Sequence, residues 1–322
     1  MRPGFECDLM ILGMAPGVAD RETRGMKMNW QGVIPAITTP FKADLSVDHE
    51  FLARHAGWLV ENGCTGVVAL GSLGEGAALR VEERRAVLDT CVATLSGRAS
   101  VVSGVAATST REAVEQALAA EAAGCDALMV LPPYVYCGDW REMRAHVGAV
   151  IEATPLPCIL YNNPIAYKVD FLPGQVAELC RKYANLEAIK ETSADVRRVM
   201  ALRAILGERL RILCGVDDLI VEAVSAGACG WIAGLVNAFP KESVELFESA
   251  LGGDCARAFE IYRWFLPLLR LDTVPKFVQL IKQVQEEIGM GSGRVRPPRL
   301  SLEGSELVAL RVELQSALAT RI

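Results

Sequence analysis

The chain has 322 residues, of which 51% are hydrophobic, so it can bury a large core as two domains or as one large α/β barrel. Its net charge of −6 at pH 7 offers no basic surface for nucleic acid or anionic lipid, and no apolar run reaches the roughly 18 residues that span a bilayer. We therefore expect a cytoplasmic protein whose partner is a small molecule, with neither nucleic acid nor membrane as a partner.

The ten cysteines and three histidines are scattered along the chain, without the close pairs that zinc and iron–sulfur sites need. Most of the cysteines lie in apolar runs, as expected of reduced core residues in a cytosolic protein. We therefore predict no metal site, and we do not favour serine-hydrolase or histidine–metal chemistry.

In chain order, residues 1–28 lack a convincing signal peptide and are expected to form a disordered extension or to reflect a mis-assigned start. Eight short apolar runs follow, and each is typical of a strand buried on both faces of a parallel sheet. Amphipathic patterns of helical length separate them. The predicted strands cover residues 33–38, 66–71, 100–105, 126–131, 158–161, 187–190, 211–215 and 230–234.

Eight successive βα units predict a (β/α)8 TIM barrel over residues 29–252. A doubly wound open sheet is the alternative, but it would need a glycine-rich nucleotide turn after the first strand, where the chain reads TTPFKAD. Beyond residue 252 three helical patterns follow without intervening strands. Residues 253–322 are therefore predicted to form a three-helix appendix packed on the barrel.

In such a barrel the active site lies at the carboxyl ends of the strands. Lys190 ends the sixth predicted strand, Tyr161 ends the fifth, and the turn GSLGEG (71–76) follows the second. A buried lysine with a lowered pKa can add to a ketone as a neutral amine and form an imine. Tyr161 could transfer protons beside it, and the glycine-rich turn with the Ser72 hydroxyl could cradle a carboxylate.

Each of these residues also has an ordinary structural interpretation. Lys190 alone would more often be a surface cation, and Glu75 is expected to favour the N-terminus of the next helix. Asp217 and Asp218 are expected to cap a helix, while Asn237 has no assigned role. Only the co-occurrence of lysine, tyrosine and cradle on one rim favours catalysis. A barrel that binds a ligand without converting it is the alternative from another class.

The motifs GVIPAITTPF, GSLGE, LPPY, YNNP and AIKE, in this order over roughly residues 30–300, resemble the dihydrodipicolinate synthase / N-acetylneuraminate lyase family of Schiff-base aldolases and lyases. The resemblance implies a (β/α)8 barrel assembled as a homotetramer, without metal or organic cofactor. It further implies that Lys190 is the Schiff-base lysine and Tyr161 the proton-relaying tyrosine. Ser72 and the backbone around Leu73 would bind the carboxylate of the 2-oxo acid.

Some positions depart from the pattern of the resembled family. Ala166 stands where dihydrodipicolinate synthases carry an arginine, and Leu73 replaces a second hydroxyl residue. Tyr134 and Tyr136 flank a valine where the family has adjacent aromatic residues, so either could reach a neighbouring subunit's site. We include both tyrosines, together with Ile232 of the eighth strand, among the predicted substrate-binding residues.

The segments YNNPIAYKVD, GVDDL and GLVNAFP are most similar to the hydroxyproline-degrading branch of this family. The resemblance therefore favours a cyclic imine as substrate, with deamination of 1-pyrroline-4-hydroxy-2-carboxylate to 2,5-dioxopentanoate. The alternatives are an aldolase or dehydratase acting on a 2-oxo-3-deoxy sugar acid, and dihydrodipicolinate synthase itself.

Overall fold

The computed structural model describes residues 28–322, so the predictions for residues 1–27 lie outside the described residues. Eight parallel strands form one sheet in the order β1-β8-β7-β6-β5-β4-β3-β2. Each strand is short and almost wholly buried, as the continuous apolar runs predict. The strands are β1 Gly32–Pro35, β2 Gly66–Ala69, β3 Ser100–Val105, β4 Ala127–Val130, β5 Cys158–Asn162, β6 Leu186–Glu191, β7 Arg211–Cys214 and β8 Gly230–Ala233.

The sheet closes on itself between β1 and β2. A parallel bridge joins Ala36 to Val68, and the N–H of Ile37 donates to the carbonyl of Val68 at 3.0 Å. The predicted (β/α)8 barrel is therefore confirmed, and the open doubly wound sheet is excluded.

Helices alternate with the strands, and several begin and end at the residues that the sequence indicates. The side chains of Asp48 and Ser109 accept hydrogen bonds from the first turns of α1 and α3, and α3 ends at Gly124 in the left-handed conformation. The helices are α1 His49–Glu61, α2 Val81–Leu95, α3 Thr110–Ala123, α4 Trp140–Glu152, α5 Pro164–Tyr167, α6 Pro173–Lys182, α7 Arg197–Leu206, α8 Ile220–Ser225, α9 Pro240–Leu251, α10 Cys255–Leu269, α11 Phe277–Glu287 and α12 Gly304–Ala319.

The last three helices pack together and against the barrel. Phe265 of α10 is stacked on Trp264 with ring centroids 5.0 Å apart, and it meets Phe239, just before α9, edge-on at 5.8 Å. A short 3-10 turn, Arg270–Thr273, links α10 to α11. None of the helices within residues 28–322 is long and apolar enough to cross a membrane.

A buried ion pair joins this appendix to the turn after β2. The Lys282 ammonium of α11 donates to Glu75 Oε1 and to the carbonyl of Thr39, both at 2.9 Å. Glu75 Oε2 accepts from the N–H of Arg296 at 3.0 Å, and Glu75 itself adopts a left-handed backbone with φ 52°. Glu75 does precede the 3-10 turn Gly76–Ala78, as expected, but its carboxylate does not cap that turn and points to the appendix instead.

Candidate functional site

Lys190 lies one residue from the end of β6, directly beside Tyr161 of β5 in the parallel register. It is only 7% exposed, and its Nζ lies 4.3 Å from the centroid of the Tyr161 ring. Within residues 28–322 the amine makes no hydrogen bond or ion pair. Burial lowers the pKa of Lys190, and this effect outweighs the attraction of nearby carboxylates. The site therefore favours a neutral, unpaired amine that can act as a nucleophile.

Gly215, which follows β7, forms part of the wall around this amine. A Cβ atom at that position would come within 2.8 Å of Lys190 Cε, so a larger residue would displace the lysine side chain. Lys190 thus lies between a glycine backbone on one side and an aromatic ring on the other.

Tyr161 is buried, and its hydroxyl accepts a hydrogen bond from Asn163 Nδ2 at 3.0 Å. Burial raises the pKa of Tyr161 to about 12, so the phenol stays protonated at neutral pH. A protonated phenol next to the amine can give a proton to a reacting oxygen and accept one back. Lys190 and Tyr161, which the sequence predicted together, are therefore neighbours in the fold.

The turn after β2 carries the predicted carboxylate cradle. Ser72 is half-buried and Leu73 is buried, and the turn is closed by a hydrogen bond from the N–H of Glu75 to the carbonyl of Ser72 at 3.1 Å. The hydroxyl of Ser72 forms a short hydrogen bond with the hydroxyl of Tyr167. The ring of Tyr167 in turn lies edge-on to Tyr161, with centroids 5.8 Å apart.

The sequence analysis did not identify Tyr167. Its position depends on α5, a single helical turn that begins at Asn163, whose side chain accepts from the N–H of Ala166 at 3.0 Å. The asparagine–proline pair at residues 163–164 is a recognisable helix start and was the available signal. That turn places Tyr167 over Ser72 and leaves Ala166 exposed.

The other predicted substrate-binding residues lie at different depths. Ile232 is buried within β8. Tyr136 is exposed and its hydroxyl donates to Glu142 in the first turn of α4, away from Lys190. Tyr134 is 38% exposed but lies close enough for its charge to raise the pKa of Tyr167. A role in substrate binding stays a prediction for all three residues.

Asp217, expected to cap a helix, is instead fully buried behind the site. Its carboxylate accepts from the indole N–H of Trp231 at 3.0 Å and from the N–H groups of Gly234 and Leu235 at 3.1 Å and 2.9 Å. Burial raises its pKa to about 6 despite these donors. Asn237 is likewise structural, because its side chain bonds the carbonyl of Ala36 at 2.8 Å and braces β1 against the segment after β8.

Residues 29–317 match the sequence model of the Dihydrodipicolinate synthetase family. The 4-hydroxy-tetrahydrodipicolinate synthase of Methanocaldococcus jannaschii is 34% identical over 84% of this chain and 92% of its own length. The protein of the same name from Agrobacterium fabrum is 32% identical over 89% of this chain and 98% of its own length.

Solved structures give the same picture. The dihydrodipicolinate synthase of Aquifex aeolicus superposes with a TM-score of 0.85 at 30% identity, covering 89% of this chain and 97% of the other. YagE, a prophage protein of E. coli K12 solved in complex with pyruvate, superposes with a TM-score of 0.84 at 28% identity, covering 90% and 99%.

Proposed function

The chain belongs to the Dihydrodipicolinate synthetase family, and on this premise we propose that it is a lyase in which Lys190 forms a Schiff base with a small 2-oxo acid. One observation carries the proposal. The amine of Lys190 is buried, lies over the ring of Tyr161 and has no polar partner among residues 28–322. A lysine kept for structure alone would be expected to pair with a carboxylate or reach solvent.

The proposed chemistry uses the neutral amine as the nucleophile. It adds to the C2 carbonyl of the 2-oxo acid, and loss of water gives an iminium ion that draws electrons from C3. Tyr161 gives and takes protons at the reacting carbon and oxygen atoms. Ser72 and the backbone beside it hold the substrate carboxylate, and the hydroxyl of Tyr167 orients that of Ser72.

The identity of the substrate that forms this Schiff base has to be argued separately. The names of the relatives favour condensation of pyruvate with a second carbonyl compound, as in 4-hydroxy-tetrahydrodipicolinate synthase. The deamination of 1-pyrroline-4-hydroxy-2-carboxylate, which the sequence favoured, has no support from those names. We therefore propose the synthase reaction first. Because Ala166 cannot bind a second carboxylate as an arginine does, cleavage or dehydration of a 2-oxo-3-deoxy sugar acid is kept as the alternative.

Borohydride trapping tests the proposal directly. The protein is incubated with pyruvate, reduced, digested and analysed by mass spectrometry. We expect a stable adduct on the peptide that contains Lys190. Tight pyruvate binding with an unmodified Lys190 would overturn the proposal in favour of a ligand-binding barrel. Product analysis then separates the reactions: loss of aspartate semialdehyde marks the synthase, ammonia release marks the deaminase, and an aldehyde with pyruvate marks the aldolase.

Tyr167→Phe is expected to weaken binding of the 2-oxo acid. The change removes the hydroxyl that orients Ser72 and keeps the ring that packs on Tyr161. One lost hydrogen bond near a charged carboxylate corresponds to about a tenfold rise in KM for the 2-oxo acid, with a smaller change in kcat. Steady-state kinetics measure both. Tyr183→Phe is the matched control, because its hydroxyl accepts a hydrogen bond from the Lys182 ammonium at 2.7 Å, and it should leave KM unchanged. Equal KM values for Tyr167→Phe and the wild type would remove Tyr167 from the cradle.

A further inference from the structure

Asp272 belongs to the C-terminal appendix but lies next to the barrel's site. It stands in the 3-10 turn between α10 and α11, which packs on the 3-10 turn Asp217–Leu219 after β7. Its carboxyl group lies against the backbone of Gly234, directly after β8. A side chain of the appendix therefore reaches the rim where the carboxyl ends of the strands meet.

The carboxyl group of Asp272 has an unused oxygen. Oδ1 is buried and finds no hydrogen-bond partner among residues 28–322. Asp217, the other carboxylate here, has both oxygens held by three N–H donors. Buried carboxyl groups are normally satisfied, so an unsatisfied one points to a partner that arrives with the reaction. Of these two acids, only Asp272 has a carboxylate oxygen that is not already engaged in a hydrogen bond and could take part in the reaction.

Gly234 is shaped to admit this carboxyl group. A Cβ atom at position 234 would lie 2.0 Å from Asp272 Oδ1 and 2.3 Å from its Cγ, which no side chain could tolerate. The φ of Gly234 is −99°, a value open to any residue, so backbone conformation does not require glycine here. The glycine instead leaves the space that the Asp272 carboxyl occupies.

The charged and titratable groups facing Asp272 belong to the site. Asp217 and Lys190 act on it from the ends of β7 and β6, and its own charge acts on Tyr161 of β5. Cys214 and Tyr167 are the other titratable groups whose charges act on Lys190. Burial raises the pKa of Asp272 well above its usual value, the repulsion of Asp217 adds to this, and the Lys190 charge opposes it. Lys190, Asp217 and Asp272 therefore influence one another's titration.

We propose that Asp272 is a catalytic acid–base residue that exchanges a proton with Lys190 and with the carbinolamine during imine formation, an inference that rests on the proposed Schiff-base function. The two groups act on each other through their charges but form no ion pair within 4.0 Å. The Asp272 carboxylate takes a proton from the Lys190 ammonium, and the resulting amine attacks C2. Proton transfer from the added nitrogen to the C2 oxygen gives the carbinolamine hydroxyl, and the carboxyl then returns its proton to that hydroxyl, which leaves as water.

The step balances in atoms and charge. Ketone and ammonium become iminium and water: the C2–O bond breaks, the C2–N bond forms, and Asp272 ends as the carboxylate it began as. That carboxylate then faces the iminium charge. Tyr161 remains available for proton transfer at the substrate carbons, which the subsequent bond making or breaking requires.

The rate of pyruvate adduct formation, trapped by borohydride across pH, tests this role in wild type and in Asp272→Asn. We expect the maximal rate to fall about 100-fold. Removing the Asp272 charge lowers the pKa of Lys190 further, so the acid limb should move down by about one pH unit. Asp272→Glu keeps a carboxylate at this position, so its pH–rate profile should have the acid limb of the wild type. Asp218→Asn is the matched control, because Asp218 pairs with Arg270 at 3.5 Å outside the site, and it should change neither value.

The possible failures are distinguishable. If the wild type traps no adduct, the proposed function fails; if the wild type and Asp272→Asn share one rate and one pH profile, only the role of Asp272 fails. Gly234→Ala gives an independent route, because it displaces the carboxyl group without changing its chemistry, and should show the same loss of rate. Asp272→Ala added to Gly234→Ala should recover the thermal stability that the collision costs, and an unrecovered melting temperature would contradict the assigned contact.

Discussion

Lys190→Met is expected to abolish turnover while leaving the fold as stable as before or more so. Methionine replaces the unbranched apolar part of the side chain but has no amine nucleophile, so kcat should fall by about 10⁴-fold or more. The lysine amine is buried without a polar partner among residues 28–322, and its removal relieves a desolvation cost. Turnover assays and thermal unfolding, measured on the same preparations, give the two quantities.

Lys168→Met is the matched control for this prediction. Lys168 is exposed at the end of α5, and its ammonium donates to the carbonyl of Ile165 at 3.0 Å, so its loss should leave turnover unchanged. Because burial lowers the pKa of Lys190, the acid limb of wild-type activity should lie below pH 10, the range of an ordinary lysine at about 10.4. Residual turnover within tenfold of wild type in Lys190→Met would assign the nucleophile to another group.

Lys282→Met should produce the largest loss of stability among single substitutions at the appendix. The side chains of Lys282 and Glu75 are 1% and 0% exposed, so removal of the ammonium leaves the buried carboxylate with only the longer ion pair to Arg299, at 3.8 Å. Breaking a buried pair in this way costs about 3–5 kcal/mol of unfolding free energy. The N–H of Arg296 still donates to Glu75 and limits the loss to that range. Denaturant unfolding measures it.

The double variant Lys282→Met with Glu75→Gln should recover much of this free energy, because it removes both buried charges together. Lys276→Met is the control. Lys276 forms an ion pair with Glu306 in which both side chains are about half exposed, and such surface pairs contribute about 1 kcal/mol or less. If Lys282→Met cost no more than Lys276→Met, the buried pair would not be what anchors the appendix.

The barrel could be predicted because its signals are local and repeated. Each strand is a short apolar run, and strand ends near Tyr161 and Lys190 fall within one or two residues of their observed positions. Parallel register then places these two residues side by side without further information. The reactive pair followed from periodicity and chemistry together.

The remaining site residues could not be found in this way. Tyr167 depends on one helical turn of four residues, and Asp272 on how two appendix helices pack, and neither leaves a periodic pattern. Asp217 and Glu75 stand at the starts of short 3-10 turns, as expected, but their carboxylates are buried and do not cap them, whereas acidic residues are usually exposed. Their burial is decided by contacts with segments distant in sequence, such as Trp231 and Lys282.

Two residues of the appendix, the buried Lys282 and the half-buried Asp272, also bear on how this protein could be engineered. Truncation near residue 252 would separate the C-terminal helices from the barrel. It would also remove Lys282, the ion-pair partner of Glu75 in the carboxylate-cradle turn, and Asp272, the acid beside Lys190. A barrel that is transplanted or permuted without these helices would keep its eight strands but would lose both of these side chains from its functional site. The smallest portable unit is therefore the barrel together with α10, α11 and the segment through Arg296.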